Sequence, residues 1–211
     1  MLYIYGFGGF AREVEAFLKS NLKDTVQFVV DDKYHEEDDY QTVIPYSEFV
    51  NMFDRDEDRI VVAVGDPSDR KNIVSKIDSI ENFTNYRSFL NLILKKSVIG
   101  GCITTKIGSG NIFCPGSILT ANIWIGDHNH FNLNTTIGHD CKIGDFNTFS
   151  PGVNISGNVI IGNGCYFGTN SSVRQCVTIC DNVTIGMGAV VLNNIVEPGT
   201  YVGVPCKKLS K

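Results

Sequence analysis

The sequence predicts two domains of different class: an α/β unit built on a parallel sheet over residues 1–90, followed by an all-β coil of stacked triangular turns over residues 91–211. Three observations carry this. Residues 1–100 hold 18 of the 23 Asp and Glu and 12 of the 18 Lys and Arg, leaving the second half to Gly, Asn, Thr, Ile and Val. The first half alternates short apolar runs with amphipathic ones, the mark of a parallel sheet with crossover helices. The second half repeats every six residues.

In chain order, "LYIYG" reads as a strand, "GFGGFA" as a tight turn, and "REVEAFLKS" as a helix with Val14, Phe17 and Leu18 on one face. "VQFVVDD" (26–32) is a second strand ending in two aspartates. "RIVVAVGD" (59–66) is a third, followed by a helix from Ser68 to about Ile80 and a short strand near Phe83 to Phe89. Ligands of such a Rossmann-like sheet sit beyond the carboxyl ends of its strands. Gly6, Gly8 and Ala11 satisfy GxGxxG/A, and Asp31 stands where an acidic ribose ligand belongs. Glycines there let a phosphate or sugar approach the backbone and the first amides of a helix. The chain has no room for a second mononucleotide half, so one nucleotide or a nucleotide sugar fits better than a dinucleotide.

The repeat runs through Ile107, Phe113, Leu119, Ile125, Phe131, Ile137, Ile143, Phe149, Ile155, Ile161, Phe167, Val173, Ile179, Ile185 and Val191. In a chain that is 43% apolar, fifteen in phase by chance is on the order of a few in a million, so the period is real. The next residue is mostly small (Gly108, Gly126, Gly138, Gly144, Ser156, Gly162), with Asn132, Arg174 and Leu192 as exceptions. A large inward residue followed by a tolerant corner, three times over, makes a coil of 18 residues; stacked coils bury the apolar ladder and pair their backbones.

A net charge of −5 without a basic run argues against nucleic-acid binding. "EEDD" (36–39) and "DRDED" (54–58) read as solvated loops or helix starts, and His35 as solvated beside them. No apolar run approaches 18 residues and the amino terminus lacks a signal-peptide pattern, so a soluble, cytoplasmic protein is expected. Seven cysteines form no CxxC pair and no pair 18 apart, and read as small buried packing residues.

The six-residue period resembles the hexapeptide acyltransferases, and the resemblance implies a left-handed parallel β-helix working as a homotrimer. The tail "VGVPCKK" looks like that family's closing loop, with Cys206 in place of alanine. Both domains together, through "YIYGFGGFAREV", "DDK", "AVGDPSDRK", "NTTIGHDCKIGDFNTFSPGVNISGNV", "FGTNSSV" and "VGVPCK", resemble bacterial N-acetyltransferases of nucleotide-linked 4-amino-4,6-dideoxy sugars, relatives of the sialic acid O-acetyltransferase group. That resemblance implies a UDP- or dTDP-linked acceptor and acetyl-CoA as donor, with surface polysaccharide as the product's destination.

The residues alone make His139 a candidate. It belongs to a corner, an adjacent carboxylate (Asp140) favours its charged form, and near neutral pH imidazole can take a proton from an attacking amine or alcohol. Gly157 stacks one coil later and offers an exposed N–H to an oxyanion, and Asn132 is polar where the repeat prefers a small residue. By the resemblance, His139 is the general base, Asp140 tunes it, Asn132 lines the site and Gly157 donates to the acetyl carbonyl. Acetyl-CoA would lie between subunits along Gly157, Thr148, Thr169 and Met187, with Lys207 near its phosphates. Gly8, Gly9, Phe10, Asp31, Asp32 and Gly65 would hold the nucleotide sugar. No metal is expected, since aminolysis of a thioester wants a base and an oxyanion donor. The chain departs from relatives at Phe10, where a histidine is common; at "NLILKKS" (91–97) in the linker; and at Met187, where a glycine is expected beside the coenzyme.

Three rival readings are a γ-type carbonic anhydrase with zinc on His128, His130 and His139, a sugar O-acetyltransferase, and a non-catalytic trimeric scaffold. Zinc would need the three imidazoles to converge.

Overall fold

Apolar runs buried on both faces form the parallel sheet that such runs favour. In the computed structural model, which describes residues 1–19, 26–35, 42–80, 88–100 and 105–210, the strands are Leu2–Tyr5 (β1), Val26–Val30 (β2), Val43–Pro45 (β3) and Arg59–Val62 (β4). All pairings are parallel and the order is β3-β2-β1-β4. Helices Gly9–Lys19 (α1), Tyr46–Met52 (α2) and Pro67–Asp78 (α3) complete the unit.

α1 buries Ala11, Val14 and Leu18, while Phe17 is half-buried. α3 starts sharply because Pro67 stands at its first position and the Asp66 carboxylate accepts from Ser68 N and Asp69 N. β3 and α2 were not expected from the sequence. A three-residue strand ending in proline shows no period to read. Of the short strand expected near Phe83 to Phe89, residues 83–87 lie outside the described residues, and Phe89 bridges Ile60 in parallel.

The second half is a prism of three parallel ladders. The first face stacks His130–Phe131 on Ile112–Phe113 and under Thr148–Phe149 and Tyr166–Phe167. The second stacks Ile118–Leu119, Thr136–Ile137, Asn154–Ile155, Ser172–Val173 and Val190–Val191, and the third stacks Lys106–Ile107, Trp124–Ile125, Lys142–Ile143, Ile160–Ile161 and Thr178–Ile179. All fifteen expected positions point inward into one core cluster. Phe113, Phe131, Phe149 and Phe167 stack at centroid spacings of 4.8 Å. Each such side chain removed from water contributes roughly 1.5–3 kcal/mol.

Corners need a residue at positive φ, and Asn, whose short amide tolerates it, takes Asn122, Asn134, Asn158, Asn170 and Asn182. Asp140 does the same at φ 61°. Buried asparagines form their own ladder: Asn111 and Asn129 accept through Oδ1 from the backbone N–H of the residue one coil on, at 2.8 Å. Coiling begins earlier than the repeat implied, because Leu92–Ile93 and Val98–Ile99 already pair with the first and second faces. At the other end Gly199–Val202 pairs with Val183–Ile185, and Lys207–Lys208 folds back antiparallel on Tyr201 and Val202.

The α/β unit packs on the outward side of the first face. One core cluster joins Leu2, Ile4, Ala11 and Val14 to Leu92, Leu94, Ile112 and Cys114. Among the described residues no helix is long and apolar enough to cross a membrane.

Candidate active site

His139 stands at the corner between the second and third faces with its side chain 62% exposed. The corner itself is dictated locally, by inward Ile137, small Gly138 and positive-φ Asp140. Its Nδ1 lies 2.6 Å from Asp140 Oδ2. The same aspartate accepts from Asn122 Nδ2 one coil earlier. These two hydrogen bonds, Asn122 first, hold the Asp140 carboxyl below its ordinary pKa. With Nδ1–H given to the carboxylate, Nε2 carries the free lone pair.

That atom faces Gly157. A Cβ at Gly157 would come within 2.7 Å of His139 Nε2 and 2.8 Å of Cε1, so a glycine is what admits the ring. The carbonyl of Gly157 accepts from Cys176 N at 3.1 Å. Its N–H donates to no other group among the described residues. A proton acceptor and an unused backbone donor thus stand side by side. Next to them Ser156, Arg174, Gln175 and Cys176 line an open cleft of about 470 Å³. Cys176 there is exposed, against the expectation of buried cysteines, which Cys114, Cys141 and Cys165 meet. Cys102 lies outside the described residues.

Asn132 sits one corner away, between the first and second faces, and turns its Oδ1 to Leu133 N at 2.7 Å. Thr169 and Met187 occupy that same corner higher up, exposed, Met187 at 82%. Lys207 is exposed on the closing hairpin. Thr148, expected along the coenzyme, is instead buried under the α/β unit: its hydroxyl donates to Gly65 O at 2.7 Å and accepts from Arg70 at 3.0 Å. An outward threonine on the first face is simply covered by the domain that docks there.

The second cleft lies at the carboxyl ends of β1, β2 and β4, about 600 Å³, lined by Tyr5, Gly6, Phe7, Gly8, Asp31 and Lys33 among others. A Cβ on Gly8, Gly9 or Gly65 would meet nothing within 4 Å. The first turn of α1 carries no acidic residue. Its leading amides therefore face open space that suits an anion. Asp31 is engaged, bonded by Tyr5 Oη at 2.9 Å and by Lys76. Burial works against its charge, yet the bonds from Lys76 and Tyr5 outweigh it and its pKa is lowered. Asp32 accepts from Ser47 N at 2.9 Å, at the start of α2. Phe10 packs on the His130 ring at 5.0 Å, at the domain boundary.

The two remaining histidines of the zinc reading are not free ligands. His130 is fully buried, with Nε2 2.9 Å from Val62 O and Nδ1 3.1 Å from the Arg70 guanidinium. Burial, then the Arg70 charge, keeps it neutral. His128 is stacked on Phe146 and edge-on to Phe89, with its pKa pushed down by burial to about 4. Both lie at the first face and its flank, away from the His139 corner. Among the described residues no three His, Cys, Asp or Glu side chains are gathered as a metal site would need.

Residues 1–77 match the PglD N-terminal domain family, and residues 158–193 match the bacterial transferase hexapeptide repeats. The chain thus combines a stretch similar to the PglD N-terminal domain with one similar to the hexapeptide repeats. No curated protein matches it in sequence. Among solved structures it is similar to the acetyltransferase domain of PglB from Neisseria gonorrhoeae in complex with acetyl coenzyme A, at 27% identity, TM-score 0.85, covering 99% of this chain and 98% of that one. WeeI from Acinetobacter baumannii is similar at 28% identity and TM-score 0.86, covering 99% of each chain. PerB from Caulobacter crescentus, solved with CoA and GDP-perosamine, is similar at 25% identity and TM-score 0.84, covering 99% of this chain and 97% of that one. The hexapeptide superfamily and its left-handed β-helix, which the resemblance implied, are therefore in place.

Sequence reasoning missed Arg70. Its Nε donates to His128 O at 2.9 Å, its NH2 to Asn147 O at 3.0 Å and its NH1 to Val64 O at 2.7 Å, in a pocket where it is completely buried. Burial lowers its pKa to about 9. The available signal was the outward side of the first face, where Leu92, Ile112, His130 and Thr148 carry no formal charge while the third face shows Lys106 and Lys142.

Proposed function

We propose that this protein transfers the acetyl group of acetyl-CoA to the 4-amino group of a nucleotide-linked 4-amino-4,6-dideoxy sugar. The observation that carries the reading is the closeness of His139 Nε2 to Gly157, whose N–H donates to nothing among the described residues, with Nδ1 tied to Asp140. The sugar amine attacks the thioester carbonyl and gives a proton to Nε2. The oxyanion that forms takes a hydrogen bond from Gly157 N–H. Collapse breaks the C–S bond, and the departing thiolate takes the proton back from the imidazolium, leaving amide and CoA. Asp140 holds the ring's tautomer and stabilises its charged form. Asn132 lines the centre, Thr169 and Met187 flank the coenzyme, and Lys207 meets its phosphates. Gly8, Gly9, Phe10 and Gly65 hold the acceptor, with Asp31 and Asp32 shaping the same cleft.

Topology supports a homotrimer with shared sites. A vertex of a triangle lies opposite one side, and the His139 corner is opposite the face on which the chain's own α/β unit sits. The two corners flanking that face touch the unit through Leu133 and Cys114 on one side and Phe146 and His128 on the other. A sugar held in the acceptor cleft therefore meets the His139 of a neighbouring copy. A cytoplasmic site of action and a role in surface polysaccharide synthesis accompany the reading through family resemblance.

The test is CoA release with UDP-, dTDP- and GDP-linked 4-amino sugars against free sialic acid. Transfer to one of the nucleotide-linked amines supports the reading, and transfer to sialic acid alone replaces it with O-acetylation. Sharing of sites is tested by mixing His139→Ala chains with Gly8→Trp chains, each inactive alone. Recovered turnover on reassembly is expected, and none would place both halves of the site in one chain.

A further inference from the structure

Arg70 is the least economical way to glue two domains together. A guanidinium taken wholly out of water loses its hydration, and a buried cation is ordinarily paired with a carboxylate. Among the described residues none of its hydrogen-bond partners is charged, and the Asp66 carboxylate acts on it only through space. The donors go to four backbone carbonyls (Val64, Gly65, His128 and Asn147), to Thr148 Oγ1, and against His130 Nδ1. Adhesion does not require this, because an aliphatic cluster already spans the boundary through Ile4, Val14, Leu92 and Ile112.

What the fork adds is direction. Aliphatic contacts tolerate sliding and rocking, whereas a rigid guanidinium with bonds on both sides fixes height and rotation together. On the α/β side the bonds converge on the Val64–Gly65 turn at the carboxyl end of β4, where Val64 lines the acceptor cleft and the Cβ position of Gly65 is open. On the β-helix side they converge on two successive coils, at His128 and His130 and at Asn147 and Thr148. Thr148 closes the knot by donating to Gly65 O at 2.7 Å.

We infer that Arg70, with Thr148, is a positioning element for the acceptor: it pins the Val64–Gly65 turn of the nucleotide-sugar cleft to the β-helix and thereby sets where the sugar amine is presented. The inference rests on the acetyl-transfer reading above. Neither residue touches the reacting atoms. Their effect passes through the turn, and an offset of about 1 Å in such a support can cost on the order of a hundredfold in rate.

The experiment compares wild type with Thr148→Val and Arg70→Lys, using whichever nucleotide-linked amine the wild type accepts. Thr148→Val is close to isosteric and removes the hydroxyl that bridges Gly65 and Arg70. Its acceptor KM is expected to rise about tenfold as the Val64–Gly65 turn loosens, while its acetyl-CoA KM stays at the wild-type value and its melting midpoint falls modestly, because buried groups lose a partner. Arg70→Lys keeps the charge and loses the fork, and is expected to show the same split at larger size. A merely structural role would lower the amount of active protein, and hence Vmax, with both KM values unchanged. That result, or an equal rise in both KM values, overturns the proposal. If Arg70→Lys fails to fold, Thr148→Val decides alone. Wild type inert toward every nucleotide-linked amine would instead sink the acetyl-transfer reading, and calorimetric binding of UDP-, dTDP- and GDP-sugars to wild type and Thr148→Val would still test the pinned cleft: unchanged affinity in the variant overturns it.

Discussion

His130, on a strand, and His139, at a corner, belong to one coil and live under opposite physics. His130 points outward from the first face, is covered by the α/β unit and shares a dry pocket with Arg70. His139 stands at the corner away from the described residues of that unit, bonded to a carboxylate and open to solvent. The same side chain is structural in one place and available for proton transfer in the other. The difference comes from what docks on each face of the prism, which no local sequence pattern encodes.

Apart from loss of His139 itself, the largest break of this contrast is expected at Gly157. Gly157→Ala places a methyl 2.7 Å from His139 Nε2, and either the ring or the backbone donor must move. CoA release should fall by roughly 10²–10³, the usual cost of losing one oxyanion donor, without loss of melting temperature.

On the buried side the expected effect is on stability. His128 has a pKa lowered to about 4 in the fold, against roughly 6.5 in an unfolded chain. Between those values the unfolded chain binds more protons, so stability is fully present above about pH 6.5 and is lost as pH falls towards 4, by about 3 kcal/mol. His130 adds in the same direction. His128→Asn, which suits the positive φ of that position, should make urea-denaturation stability fall less steeply over this window. An unchanged slope would mean that the buried imidazole is not what acid attacks.

The smallest of these effects is at Asp140, whose carboxylate is shared between Asn122 and His139. Asp140→Asn keeps the shape and removes the charge, and kcat should fall roughly tenfold, a fraction of the 10²–10⁴ that a general base supplies. A drop as large as that of Gly157→Ala would mean that the tautomer, rather than the charge, is what Asp140 controls.

How much of this was legible depended on which interactions repeat. The fifteen inward positions, the 18-residue stacking of Gly157 over His139 and the corner placement of Asp140 all follow from one period, because a coil constrains every residue by its neighbours above and below. β1, β2 and α3 were legible as apolar runs and a capped helix. β3 and α2 were not, being too short to show periodicity after an acidic stretch of sequence. Thr148 was misplaced and Arg70 unseen for one reason: both lie where two domains meet, and that meeting is encoded by shape and by the absence of charge along the first face rather than by any repeat. The corner set of His139, Asp140 and Gly157 was readable, and Asn132, one corner away, stood out as a polar exception to the same period.

The most direct measurement is the rate of CoA release by His139→Ala, with acetyl-CoA affinity and melting midpoint measured on the same preparation. The account predicts a fall of roughly 10²–10⁴ with affinity and melting midpoint at wild-type values. Full turnover in that variant would contradict it, and so would a collapse of the fold, since an exposed corner residue should contribute little to the core.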